Sequence, residues 1–171
     1  PPISSVGTLV EHRIMPAVYD LEFLGRLSEE ALAQGTKARY HLAIDTGMDR
    51  IGVAPDCAAE FMRMADKLLG VEVDGTFTHF ATADVLDDWD FALQLNRFNE
   101  AVAALRGAGL STGLVHCDNT PGTVLHPECH YDMCRVGIGL YGLQPAETTV
   151  PRIELEPVMS VRGRVTRVVY P

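Results

Sequence analysis

The chain has 171 residues, of which 47% are hydrophobic and 22% are charged, and its formal net charge is −9 at pH 7. These proportions are typical of a globular protein with an apolar core, and no stretch approaches the roughly 20 apolar residues that a membrane-spanning helix needs. Because a negative chain is repelled by phosphate backbones, we expect neither a membrane segment nor a nucleic-acid partner.

Strands and helices alternate along the first two thirds of the sequence. An apolar run is followed by a helical pattern that begins at Leu21, and this order then recurs twice. The predicted strands and helices cover residues 14–18, 21–31, 40–44, 57–68, 73–80 and 91–105. Such alternation predicts a parallel sheet covered by helices.

Further strands are predicted over residues 111–116 and 135–141. Five strand–helix units suit an α/β barrel of the TIM type, and a complete barrel has roughly 250 residues. We therefore expect residues 1–145 to be an incomplete (β/α)8 barrel that contains its C-terminal strands. Residues 158–169 alternate apolar and polar side chains, so residues 146–171 are expected to be a connector and the first strand of a β-rich C-terminal domain.

Six potential metal ligands lie close together in the sequence: His116, Cys117, His126, Cys129, His130 and Cys134. Their spacings match neither a zinc finger nor a zinc ribbon, so we expect no metal site. The chain has no CxxC pair and no recognisable signal peptide. Its four cysteines are therefore interpreted as free thiols of a cytoplasmic protein.

Four short polar motifs each lie at the end of an apolar run. They occupy residues 41–50 (HLAIDTGMDR), 78–82 (THFAT), 116–120 (HCDNT) and 133–141 (MCRVGIGLY). Because the loops after successive barrel strands meet on one face, we expect the motifs to form a single site.

Each motif offers a chemical role and a plain structural alternative. Arg50 presents a permanent cation that suits an anionic ligand, but an ion pair with Asp45 that only holds the loop is equally open. His79 and His116 suit acid–base or hydrogen-bonding roles, although a buried structural histidine is the commoner outcome.

A phosphate site is the corresponding hypothesis for the last two motifs. Asn119 and Thr120, with backbone N–H groups of Gly137 and Ile138, are able to cradle a phosphate, and the alternative is that all four residues only form turns.

The four motifs, in this order, resemble those of the alanine racemases, most specifically over residues 41–52 and 127–145. The resemblance implies a barrel followed by a β domain, the cofactor pyridoxal 5′-phosphate and a homodimer with a shared active site. It further implies that the parent protein interconverts L-alanine and D-alanine through an aldimine and a two-base proton transfer. D-Alanine for the cell wall is the implied purpose.

The resemblance also implies roles for individual residues. Arg135 matches the arginine that donates to the pyridine nitrogen, which keeps that nitrogen unprotonated and weakens the electron sink. His79 matches a histidine beside the cofactor ring, and His116 matches one in the network around that arginine. Asn119, Thr120, Gly137 and Ile138 match the phosphate-binding residues.

Arg50 matches the arginine that contacts the cofactor's phenolic oxygen and the substrate carboxylate. Two departures from the family pattern are evident. Many members have a lysine at the position of Ala43, often carbamylated so that it braces that arginine, and alanine cannot do this. The family's two bases, a Schiff-base lysine and a tyrosine, have no counterpart here, so we expect this fragment alone to be inactive and to contain no catalytic base.

Three other interpretations stay open. The first is a racemase of the same fold that acts on serine or on several amino acids. A pyridoxal-phosphate-binding barrel without racemase activity, such as a decarboxylase, is a second possibility. A degraded, non-catalytic relative is the third.

Overall fold

The computed structural model describes residues 1–86 and 89–170. Its sheet has four parallel strands that lie in chain order: β1 (Ala17–Val18), β2 (Ala38–Ala43), β3 (Val71–Phe77) and β4 (Leu114–His116). The helices are α1 (Val6–Glu11), α2 (Leu21–Ala33), α3 (Ala58–Ala65), α4 (Trp89–Gly107) and α5 (Thr120–Leu125). Since helices connect the successive strands, the predicted α/β fold with a parallel sheet is confirmed.

Helix α2 shows how the sequence produces these units. The Asp20 side chain accepts a hydrogen bond from the backbone N–H of Glu22 at 2.8 Å, which caps the first turn. Leu24, Leu27 and Ala31 recur at helical spacing and are completely buried. Burial of each leucine stabilises the fold by about 1.5–3 kcal/mol.

The core lies between the sheet and the helices. In β2, Tyr40 and Leu42 are buried, and the Tyr40 hydroxyl contacts the sulfur of Met62 in α3 at 3.5 Å. Because side chains alternate along a strand, His41 points to the opposite face of the sheet. Consecutive helices contact one another from α1 to α4, so they lie side by side on one face, as in a segment of a barrel wall.

Two strand predictions differ from the structure. The strand expected over residues 135–141 is absent, and Ile138–Tyr141 forms a 3-10 helix that ends at Gly142, where φ is 73°. Residues 158–169 have neither helix nor strand. A strand requires a hydrogen-bonded neighbour, and Val161 in this segment is 92% exposed. Assignment of residues 146–171 to a β-rich domain stays a prediction.

Across residues 1–86 and 89–170, none of the helices combines the length and the apolar character needed to cross a lipid bilayer.

Candidate active site

The loops that follow β2 and β3 are joined at the carboxyl end of the sheet. The hydroxyl groups of Thr46 and Thr78 lie 2.8 Å apart and are both buried. Arg97 from α4 donates a hydrogen bond to the carbonyl oxygen of Thr46 at 3.0 Å. These contacts fix the first two polar motifs beside each other.

The loop after β2 is held by Asp45, but not through an ion pair with Arg50. One carboxylate oxygen of Asp45 accepts hydrogen bonds from the backbone N–H groups of Gly47 and Asp49, both at 3.1 Å. A side chain at Gly52 would lie 2.3 Å from the Asp45 backbone nitrogen, so this turn requires glycine. The Arg50 side chain is exposed and available to an anionic ligand.

Arg135 lies where β3 and β4 end. Its Nη1 donates to Nδ1 of His116 at 2.5 Å, and its Nη2 donates to the carbonyl oxygens of Thr78 at 2.8 Å and Cys117 at 3.3 Å. The guanidinium also lies 5.0 Å from the centre of the Phe77 ring. Burial lowers the pKa of Arg135, yet arginine stays charged because its ordinary pKa is above 12.

Burial and the bond to Arg135 together determine the charge and the tautomer of His116. Burial, followed by the charge of Arg135, lowers the pKa of His116 to about 3, so the ring is neutral at pH 7. Since Nδ1 accepts from Arg135, the proton lies on Nε2 and is donated to Nδ1 of His41 at 2.7 Å. The second nitrogen of His41 faces the Asp74 carboxylate at 3.7 Å.

His79 lies in the loop after β3 and is the next residue after Thr78. Burial, then the charges of Arg135 and Arg50, lower the pKa of His79. The lowered pKa favours the neutral form of the half-buried His79 ring at pH 7.

Thr120 lies at the centre of the predicted phosphate site. Its buried hydroxyl accepts hydrogen bonds from the backbone N–H groups of Gly137 at 3.0 Å and Gly139 at 3.3 Å. A Cβ atom at Gly139 would lie 2.8 Å from the Thr120 methyl group, so the close approach depends on glycine. Asn119 caps α5 by accepting from the Gly122 N–H at 3.0 Å.

The structure thus brings together most of the residues that the sequence singled out. His79, His116 and Arg135 form one group, and Thr120 and Gly137 form another, with Ile138 beginning the adjacent 3-10 helix. His41 and Gly139 were missed as parts of these groups, although both lie within the polar motifs. Strand alternation was the available signal for His41, because it places this side chain opposite Tyr40.

Comparison with known proteins decides the family. Residues 1–145 match the model described as "Alanine racemase, N-terminal domain". The chain belongs to the alanine racemase family. It is 37% identical to the alanine racemase of Desulfovibrio desulfuricans over 98% of this chain and 45% of that protein. It is 42% identical to that of Symbiobacterium thermophilum over 87% of this chain and 40% of that protein.

Solved alanine racemase structures agree in fold. The enzyme of Clostridium difficile 630 in complex with cycloserine superposes with a TM-score of 0.87 and 32% identity, over 92% of this chain and 44% of that one. The Bacillus anthracis enzyme with bound L-Ala-P gives a TM-score of 0.82 and 28% identity, over 92% of this chain and 41% of that one. The chain spans less than half the length of these relatives.

The family match corrects one expectation. The strands were predicted to be the C-terminal ones of a barrel, whereas residues 1–145 match the N-terminal domain of the alanine racemase family. The start of a barrel is consistent with this match. The rhythm of strands and helices identifies the repeating unit, but it carries no mark of which unit comes first.

Proposed function

We propose that the protein containing this chain is an alanine racemase that interconverts L-alanine and D-alanine with pyridoxal 5′-phosphate. The observation that carries the proposal is the position of Arg135, held by the ends of β3 and β4 in a chain of this family. We further propose that the enzyme is a cytoplasmic homodimer with a shared active site and supplies D-alanine for the cell wall.

The residues present fit the cofactor. In the described part of the chain, the Nε of Arg135 makes no hydrogen bond, so it is free to donate to a ring nitrogen. The N–H groups of Gly137 and Gly139 both donate to the Thr120 hydroxyl. Together with the N–H of Ile138, they would donate to the phosphate oxygens of the cofactor. Asn119 positions Thr120 by capping α5.

When bound, pyridoxal phosphate makes the α-proton of an attached amino acid acidic. Arg135 would limit this effect by donating a hydrogen bond to the ring nitrogen without giving up its proton, which suppresses side reactions. His116 would hold Arg135 in place, and His79 would lie beside the ring as a neutral group. Arg50 would bind the substrate carboxylate.

Proton transfer itself is assigned to residues outside this chain. Its two lysines are Lys37 and Lys67, and they precede β2 and β3 at the amino ends of these strands. Arg135 lies at the opposite end of the sheet. Neither lysine therefore suits the Schiff-base role, and we propose that the lysine and tyrosine bases lie elsewhere in the protein.

The serine-type racemase is the second candidate, because the carboxylate that Arg50 would bind is common to alanine and serine. The deciding experiment is incubation of the complete protein and pyridoxal phosphate with L-alanine or L-serine, followed by chiral chromatography. Faster formation of D-alanine is expected. Faster formation of D-serine would move the protein to the serine-specific class, and no product with either substrate would reject the racemase assignment.

A further inference from the structure

A cluster of potential metal ligands lies on the segment between the end of β4 and Arg135. The carboxylate Oδ2 of Asp118 is 3.6 Å from Sγ of Cys134 and 3.8 Å from Nε2 of His130. All three atoms lie within 4.8 Å of one another. Asp118 and Cys134 belong to two separate motifs and His130 lies between them, so their sequence spacing does not indicate a site.

We propose that Asp118, His130 and Cys134 bind a divalent transition-metal ion of the Zn²⁺ type. Imidazole, thiolate and carboxylate are the ligands that zinc prefers. In a tetrahedral site, with bonds of about 2.0 Å to nitrogen and oxygen and about 2.3 Å to sulfur, oxygen lies about 3.5 Å from sulfur and about 3.3 Å from nitrogen. The observed oxygen–sulfur separation of 3.6 Å is close to the first value, and the oxygen–nitrogen separation of 3.8 Å must shorten by about 0.5 Å on binding.

The surroundings of Asp118 support a cation. Its side chain is completely buried, and buried carboxylates are normally compensated by strong donors or positive charge. In the described residues, its only hydrogen-bond donors are the thiols of Cys134 at 3.6 Å and Cys117 at 3.9 Å. Thiols are weak donors, so a metal ion would be a far stronger partner for this carboxylate.

The backbone holds the ligands in place. The N–H of Val115 in β4 donates to the Asp132 carboxylate at 2.8 Å, and the N–H of Asp132 donates to the Val115 carbonyl at 3.0 Å. The N–H of Arg135 donates to the carbonyl oxygen of Asp118 at 3.1 Å. The two ligand-bearing segments therefore run against each other with little freedom to separate.

Solvent reaches this cluster from one side. The His130 side chain is 44% exposed and Cys134 is partly exposed, which gives an ion a route of entry and leaves room for water as a fourth ligand. Cys117 and Cys129 also approach Asp118, but both are completely buried. The site is therefore assigned to the exposed side of the carboxylate.

Binding changes the protonation of two ligands. Cys134 releases its thiol proton to solvent and forms the metal–sulfur bond as a thiolate. His130 Nε2 lies 2.9 Å from the carbonyl oxygen of Thr123. That hydrogen bond breaks, the imidazole proton moves to Nδ1, and Nε2 binds the metal.

The first test uses the protein without substitutions, and its exposed Cys57 serves as the internal control. The reduced protein is alkylated with and without Zn²⁺, and the modification of each cysteine is followed by mass spectrometry. Zinc at ten times its Kd should leave about one in eleven Cys134 thiols unligated, which slows alkylation about tenfold. The exposed Cys57 should be unaffected. Equal rates at Cys134 with and without zinc, or equal protection of Cys57, would overturn the proposal.

The second test identifies the ligands with Co²⁺, which gives a thiolate-to-metal absorption band when bound by cysteine. The band is expected with the unchanged chain and is expected to disappear in Cys134→Ala and to lose intensity in His130→Gln. The matched controls Cys57→Ala and His12→Gln replace exposed residues and should keep it. A band that persists unchanged in Cys134→Ala would place the ion elsewhere. If a ligand variant does not fold, the alkylation result decides.

Discussion

His116 accepts a hydrogen bond from Arg135 through Nδ1 at 2.5 Å. This one contact directs the neighbouring bonds, because it places the His116 proton on Nε2, facing His41. A cation at the proposed cofactor site is thus linked to a residue in the middle of β2.

Replacement of His116 by alanine should weaken cofactor binding. It leaves an N–H of Arg135 without its acceptor, and an unsatisfied buried polar group costs about 1–3 kcal/mol. We expect the Kd of pyridoxal phosphate for the complete protein to rise roughly 10- to 100-fold, as measured by absorbance titration. His12→Ala, at an exposed histidine, should bind normally. An unchanged Kd for His116→Ala would remove His116 from the cofactor network.

The Thr120 hydroxyl should contribute more to the free energy of unfolding than its methyl group does. Thr120→Val removes the acceptor of the Gly137 and Gly139 N–H groups and should lower the free energy of unfolding by about 1–3 kcal/mol. Thr120→Ser keeps the hydroxyl and should lose less. Urea unfolding of both variants measures the difference. Equal losses would show that packing of the methyl group, rather than hydrogen bonding, makes Thr120 important.

Gly75 should not tolerate a side chain. A Cβ atom there would lie 2.5 Å from Nδ1 of His41 and 2.9 Å from the carbonyl oxygen of Leu114. Gly75→Ala should therefore displace His41 from His116 and destabilise the chain by about 1–3 kcal/mol. Gly107→Ala has no atom within 4 Å of the new Cβ and should be neutral or stabilising by up to about 1 kcal/mol. Thermal unfolding of the pair is the measurement, and comparable stabilities would contradict the steric argument.

Acidification should destabilise the chain through its buried histidines. The pKa of His116 is about 3 when folded and about 6.5 when unfolded, so the unfolded state binds more protons between these values. Stability is therefore full above pH 6.5 and falls as the pH decreases toward 3. The lowered pKa values of His41 and His79 act in the same direction.

Urea unfolding between pH 7 and pH 4 measures this dependence. His116→Gln should reduce the slope by about 1.4 kcal/mol per pH unit between roughly pH 6 and pH 4. His12→Gln serves as the exposed control and should keep the full slope. A His116→Gln variant with the slope of the unchanged chain would show that folding does not lower the pKa of His116.

The elements that could be predicted from sequence are those with strong local signals. Leu24, Leu27 and Ala31 repeat at helical spacing, and α2 forms there. The apolar run near Arg135 misled the strand prediction, because Gly137 and Gly139 bond to Thr120 instead of to a neighbouring strand. A tertiary contact, which a local pattern does not contain, decides that segment.

The candidate site follows the same rule. Residues that lie shortly after strands, such as His79 and Thr120, could be predicted because parallel strands end at one edge of the sheet. The link from His116 to His41 could not, since it joins residues 75 positions apart across the sheet. The grouping of Asp118 with His130 and Cys134 was missed for a similar reason. The chain folds back on itself between Asp118 and Arg135, and the sequence spacing of the three ligands matches neither a zinc finger nor a zinc ribbon.

Exchange of the substrate's Cα proton tests most directly whether Arg135 and its network serve a pyridoxal-phosphate racemase. The complete protein with bound cofactor is incubated with L-alanine in D₂O, and NMR follows the Cα proton while chiral analysis follows the enantiomers. We predict that deuterium replaces the Cα proton and that D-alanine forms with deuterium at Cα. Bound cofactor with full retention of the Cα proton would contradict the account.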